Sequence, residues 1–171
     1  MAIHGGAGTL VRGEMTPEKE QLYLNALKEA RDAAFHILES GGTALDAVEM
    51  AVRKMEDCPL FNAGKGSVFT HDGTHEMDAS IMEGNGRMAG AVSLIKGVRN
   101  PISLARMVME RSEHVFLAGE GAMEFARQQG AELADEAYFH DEFRHNQWQQ
   151  ARSSDRVQLD HTPLDEKKFG T

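Results

Sequence analysis

The sequence predicts a mixed α/β domain, of the α+β kind, in which helices pack on a sheet made of antiparallel hairpins. Three observations predict it. Two early segments repeat apolar residues at spacings of three and four, the mark of a helix with one buried face. The middle of the chain then changes period, and the turn signals Asp72-Gly73 and Gly84-Asn85-Gly86 join consecutive short strands there. Finally, 171 residues can bury a sizeable core within one domain.

Met1-Ala2-Ile3 reads as the end of a buried strand, and His4-Gly5-Gly6-Ala7-Gly8 follows it. So many glycines together demand unusual dihedrals or a close backbone approach. They are not a dinucleotide fingerprint, because the third glycine position holds Val11. Gly64-Lys65-Gly66-Ser67 likewise interrupts the Gly-Lys-Ser of a phosphate loop.

Thr16-Pro17 starts a helix, with threonine as cap and proline at the first helical position. Its stripe of Leu24, Leu27, Ala30, Ala34, Ile37 and Leu38 runs until Gly41-Gly42. A second helix starts at Thr43, which stands at capping-box spacing from Asp46 and is followed by the stripe Leu45, Val48, Val52 and Met55. Both helices are expected to pack on the sheet. Cys58 to Ser67 is a loop. Val68-Phe69-Thr70 and Glu76 to Met82 form a first predicted hairpin, and Met88 to Val98 pairs next. Asn100-Pro101 opens a third helix through Arg111, Val115 to Leu117 is a short strand, and Glu120 to Gln129 and Asp135 to Ala151 have helical pattern. Residues 1–151 are therefore the folded portion. From Arg152 to Phe169 the composition turns polar, which predicts a mobile linker leading to Gly170-Thr171.

Composition excludes several functions. Lys and Arg total 18 against 27 Asp and Glu, a formal net charge of -9, which argues against nucleic acid or anionic membrane as the partner. The single cysteine, Cys58, leaves no internal disulfide framework and fits a reducing, cytoplasmic setting. No signal peptide is evident, and the longest apolar run, Met88 to Ile95, is too short to span a bilayer.

Among candidate chemistries, the terminal Gly170-Thr171 carries the most. Glycine lets its carbonyl be held in a strained geometry and approached closely. If Thr171 Oγ attacks that carbonyl and the resulting ester hydrolyses, Thr171 gains a free α-amine. Such an amine has a pKa of roughly 7.7–8.0, so nucleophile and general base then share one residue. Asn62 has an amide able to donate to an oxyanion or hold a threonine hydroxyl. His4 reads as orienting backbone. The loop around Gly64 can offer carbonyl oxygens to a hard cation such as sodium or calcium. His71 and His75 are four residues apart but flank a predicted turn rather than lie on a helix, and His140 and His145 are five apart, so both pairs read as surface or hydrogen-bonding residues, and Trp148 reads as packing.

Three segments together resemble the plant-type asparaginase/isoaspartyl peptidase family of N-terminal-nucleophile hydrolases, relatives of the glycosylasparaginases. They are Ile3-His4-Gly5-Gly6-Ala7-Gly8; Cys58-Pro59-Leu60-Phe61-Asn62-Ala63-Gly64 with Met77-Asp78-Ala79-Ser80-Ile81-Met82; and Leu164-Asp165-Glu166-Lys167-Lys168-Phe169-Gly170-Thr171. The resemblance runs essentially end to end and preserves order and spacing. It implies a four-layer αββα sandwich of which this chain supplies about half. It implies a precursor that cuts itself between Gly170 and Thr171, and hydrolysis of L-asparagine and β-aspartyl dipeptides with Thr171 as nucleophile. His4, Gly5 and Gly6 match a segment that influences processing, and Asn62 matches a polar residue beside the nucleophile. Met55, Glu56, Cys58, Phe61, Ala63 and Lys65 match main-chain oxygens that bind a structural sodium ion; no other cofactor is implied. The implied partner is a β subunit from the same precursor, in an (αβ)2 assembly.

Set against that family, the chain is expected to stop where the second half begins and to have its first strand clipped at Met1. Alone it is expected to be inactive and to leave a sheet face uncovered. The alternative reading is a non-catalytic truncated homologue that acts as a binding or scaffolding half. A glycosylasparaginase is disfavoured by the missing signal peptide and cysteine pairs.

Overall fold

The computed structural model describes residues 1–6 and 15–154. Its elements run α1 (Pro17–Glu39), α2 (Ala44–Glu56), a 3-10 turn (Gly64–Gly66), β1 (Met77–Met82), β2 (Ala89–Ile95), α3 (Pro101–Arg111), β3 (Phe116–Ala118), α4 (Gly119–Gln129), α5 (Glu136–Phe139) and α6 (Glu142–Ser154). The mixed α/β class stands. Among the described residues, no helix is long and apolar enough to cross a membrane.

The predicted helix starts are made by the expected atoms. Thr16 Oγ accepts from the Lys19 N–H at 3.2 Å, with Pro17 next in the chain. Thr43 and Asp46 form the reciprocal box, each side chain accepting from the other's N–H at 3.1 and 3.4 Å. Each such cap stabilises its helix by about 1 kcal/mol. At the far end of α4, Gly130 closes the helix in the left-handed region with φ +71°.

β1 and β2 pair antiparallel as predicted, with Ser80 opposite Ala91 and Met82 opposite Ala89. β3 corrects the expectation of an all-antiparallel sheet. It lies parallel to β2, with Ala91 opposite Phe116 and Ser93 opposite Ala118, and α3 is the crossover. The pairing of β2 with β3 is set by how α3 packs, which turn signals do not encode. α3 lies so close on β2 that a Cβ on Gly90 would strike the Ala105 carbonyl and the Met109 backbone nitrogen. The core between them holds Val92, Ile95, Leu104, Ala105 and Val108, all buried. Each large apolar side chain there contributes roughly 1.5–3 kcal/mol.

Three further expectations need correcting. Met1-Ala2-Ile3 is not a strand; Ile3 packs instead against Ala34, Ala47 and Ala51, the small residues joining α1 to α2. Val68–Thr70 is not a strand either. The turn is present, with Thr70 N–H donating to the Thr74 carbonyl at 2.7 Å, but Phe69 leaves the sheet to stack on His75, ring centroids 4.1 Å apart. Nor do α1 and α2 lie on the sheet. They pack on each other, and α2 leans on α3, so α3 and α4 are what cover the strands.

The opposite sheet face is open: Met82 is 64% exposed and Phe116 56%. The helical segment Asp135 to Ala151 is broken at His140–Asp141, and its second part continues to Ser154. The linker beyond residue 154, with Gly170 and Thr171, lies outside the described residues.

Candidate functional site

The segment from the end of α2 to Ser67 is a tightly wound loop, and two glycines allow the winding. Gly64 has φ +51°, and a Cβ there would run into the Glu56 carbonyl. A Cβ on Gly66 would run into the carbonyl oxygens of Phe61 and Pro59. The Met55, Cys58 and Ala63 carbonyls accept from Cys58, Phe61 and Gly66 N–H groups at 3.1, 3.5 and 3.1 Å. Carbonyl oxygens of Glu56, Pro59 and Phe61 therefore lie close against the two glycines. This donor set is entirely hard oxygen, so the residues present fit a cation of the sodium or calcium kind and not a transition metal.

Side chains pin this loop from three directions. The Glu56 carboxylate, buried at 2% exposure, accepts from the Ile102 N–H at 2.9 Å and from Asn100 Nδ2 at 3.2 Å, which ties α2 to the start of α3. Burial pushes its pKa up to about 7, against the pull of those hydrogen bonds. Beside it Asp57 Oδ1 accepts from Tyr138 Oη at 2.7 Å, Arg99 Nε at 3.2 Å and Asn100 Nδ2 at 3.3 Å. Partial burial would raise this carboxyl, but those donors prevail and hold it below the usual range. From α6, the buried Arg144 donates through Nε to the Gly66 carbonyl at 3.0 Å.

Asn62 lies in this loop, and its Oδ1 accepts from the Val68 N–H at 3.0 Å, leaving the amide nitrogen as a donor. The His4–Gly6 segment comes up against the same loop. A Cβ on Gly5 would meet Phe61 Cε1 at 3.3 Å and Leu27 Cδ2 at 2.9 Å, so this backbone lies close against the Phe61 and Leu27 side chains. Gly6, at φ +109°, donates its N–H to His4 Nδ1 at 3.3 Å. Two of the three motif regions are brought together in this way. The third, ending in Gly170-Thr171, lies outside the described residues, so no distance relates it to Asn62.

The Met77–Met82 motif is β1, where Asp78 sits at a register shift and faces the open side of the sheet. Trp148 packs as expected, its ring against Gly73 and its Nε1 donating to the His71 carbonyl at 3.2 Å. His71 is at the surface, and His75 shares a hydrogen bond with Ser67 Oγ at 3.2 Å. The second histidine pair differs. His140 and His145 converge with Glu142, a grouping that spacing alone does not reveal. Its one sequence signal was Asp141, a capping residue inside an apparently continuous helix.

Comparison with known proteins covers the whole chain. The asparaginase family model matches residues 1–171. The chain is 49% identical over 174 residues to the isoaspartyl peptidase of Salmonella typhimurium, which takes in 100% of this chain and 56% of that protein. It is 48% identical over 174 residues to the isoaspartyl peptidase of Escherichia coli, 54% of that protein. It is 50% identical over 150 residues to the plant-type L-asparaginase of Thermococcus kodakarensis, covering 88% of this chain and 46% of the archaeal one. The chain thus spans about half the length of the curated relatives it matches.

Proposed function

The chain belongs to the asparaginase family, and from that premise we propose that it is the α-subunit portion of a self-processing threonine amidohydrolase. The full protein cleaves itself between Gly170 and Thr171 and hydrolyses L-asparagine and β-aspartyl dipeptides. The observation that carries the reading is that the family match reaches residue 171, where a threonine follows a glycine.

In this mechanism Thr171 Oγ attacks the substrate's side-chain amide carbon. The freed α-amine takes the hydroxyl proton and passes it to the departing ammonia or amino acid. Water then splits the ester and releases aspartate, returning the hydroxyl. A donor to the oxyanion, for which Asn62 Nδ2 is a candidate, contributes roughly 3–4 kcal/mol. His4, Gly5 and Gly6 shape the backbone beside Phe61 and Asn62 during processing. The main-chain oxygens of Met55, Glu56, Cys58, Phe61, Ala63 and Lys65 would hold a structural sodium ion that keeps this loop wound.

The open face carrying Met82 and Phe116 suits a second sheet, supplied by the β subunit, in an (αβ)2 assembly. The full-length protein with Thr171→Ala tests the proposal. It should remain one chain on a denaturing gel and hydrolyse neither substrate, whereas the unaltered protein yields two pieces whose masses divide between Gly170 and Thr171. Cleavage of the variant at that bond overturns self-processing by Thr171. An unaltered protein that neither splits nor hydrolyses leaves the scaffolding reading in its place.

A further inference from the structure

We propose that His140, Glu142 and His145 form a binding site for one divalent transition-metal ion of the zinc class, separate from the oxygen-lined loop at Gly64. The three side chains offer two ring nitrogens and a carboxylate oxygen, all within 4.8 Å of one another. Among the described residues, no other three His, Cys, Asp or Glu side chains gather in this way. A tetrahedral ion with bonds of roughly 2.0–2.2 Å to such donors would draw them to mutual separations well inside that limit, and the small shift falls on surface side chains.

The local chain builds this arrangement. α5 ends at Phe139, and His140 has extended backbone with φ -67° and ψ 121°, which interrupts the helix before α6 begins. Asp141 then caps α6 by accepting from the Arg144 N–H at 3.0 Å. Glu142 and His145 stand three residues apart on the first turn of α6, on one face of the helix. The break places His140 beside them, its Nε2 3.6 Å from Glu142 Oε1 and its ring 5.2 Å from that of His145.

An aromatic wall backs the cluster. Phe69 lies 6.0 Å from the His140 ring and 5.7 Å from the His145 ring, and Trp148 lies 5.5 Å from His145. These neighbours restrict both imidazoles, so less ordering is required when the ion binds. Two imidazoles and one carboxylate select zinc, cobalt, nickel or copper over calcium and magnesium, which prefer oxygen. Three protein ligands leave a fourth position for water.

The test uses full-length protein stripped with chelator, with zinc binding followed by calorimetry and cobalt binding by its visible ligand-field absorption. One ion per chain is expected, with the cobalt spectrum of a tetrahedral site. His140→Gln and Glu142→Gln should each weaken zinc binding by at least the roughly 10–100-fold typical of losing even an outer-shell partner. His71→Gln, at the surface, should leave it unchanged. Glu142 is well exposed, so its variant folds even if the histidine variant does not, as circular dichroism will report. Failure to bind zinc or cobalt overturns the proposal, and so does binding that both variants leave unaltered.

Discussion

Asp78 holds the backbone of Leu94 across the β1–β2 pair. Its Oδ1 accepts from the Leu94 N–H at 2.9 Å and from the Ser93 hydroxyl at 2.5 Å. Leu94 sits at φ +53°, where a β-carbon costs roughly 1–2 kcal/mol, and the carboxylate offsets that strain. Asp78→Ala should therefore destabilise the full-length protein by about 1–3 kcal/mol in chemical denaturation. Leu94→Gly should be neutral to about 1 kcal/mol stabilising, because the strain goes and the side chain is half exposed. In the glycine background, Asp78→Ala should cost measurably less. Strictly additive effects in this double-mutant cycle would show that the carboxylate does not support the strained residue.

Glu56 gives a pH dependence of definite sign. Its carboxyl is raised from 4.5 to about 7 in the folded protein, so the folded state holds the proton more tightly than the unfolded chain. The stability this confers is complete below about pH 4.5 and is lost as pH rises through about 7. The loss amounts to no more than about 3 kcal/mol. Glu56→Gln keeps the shape and stays neutral. Its stability relative to the unaltered protein should rise across that window, and a difference flat between pH 4.5 and 8 would contradict the assignment.

Arg144 and Gly66 set the tension of the loop proposed to hold sodium. Arg144→Ala leaves the Gly66 carbonyl without its partner, at a cost of about 1–3 kcal/mol, and Arg144→Lys recovers little because a planar N–H is lost. Gly66→Ala should be worse, at least ~3 kcal/mol, since backbone must move to admit the Cβ. Exchanging sodium for choline at constant ionic strength should lower the melting temperature of the unaltered protein. A melting temperature indifferent to that exchange would remove the cation from the loop.

The sequence read alone determined most of the helices, the β1–β2 hairpin and the family resemblance. Thr16-Pro17 and Thr43 with Asp46 mark helix starts correctly because capping is settled within one turn of backbone, and Asn100-Pro101 does so through proline at the first helical position, with no side-chain cap from Asn100. The β1–β2 hairpin was equally legible, since its turn lies between its strands. The glycine-rich segment and the loop around Asn62 are recognisable by order and spacing in the sequence alone.

Tertiary structure decided what depends on residues distant in the chain. It turned β3 parallel to β2 by seating α3 on Gly90, and it drew Phe69 out of a predicted strand into an aromatic cluster. It buried Arg144 against a carbonyl 78 residues away. It also broke the helix at His140, so that a five-residue spacing unsuited to a straight helix became a convergent set of side chains. The physical reason is one of range. Periodicity and capping report which face of an element is apolar and where it ends, whereas strand partners and converging side chains are chosen by the packing of elements that lie far apart in sequence.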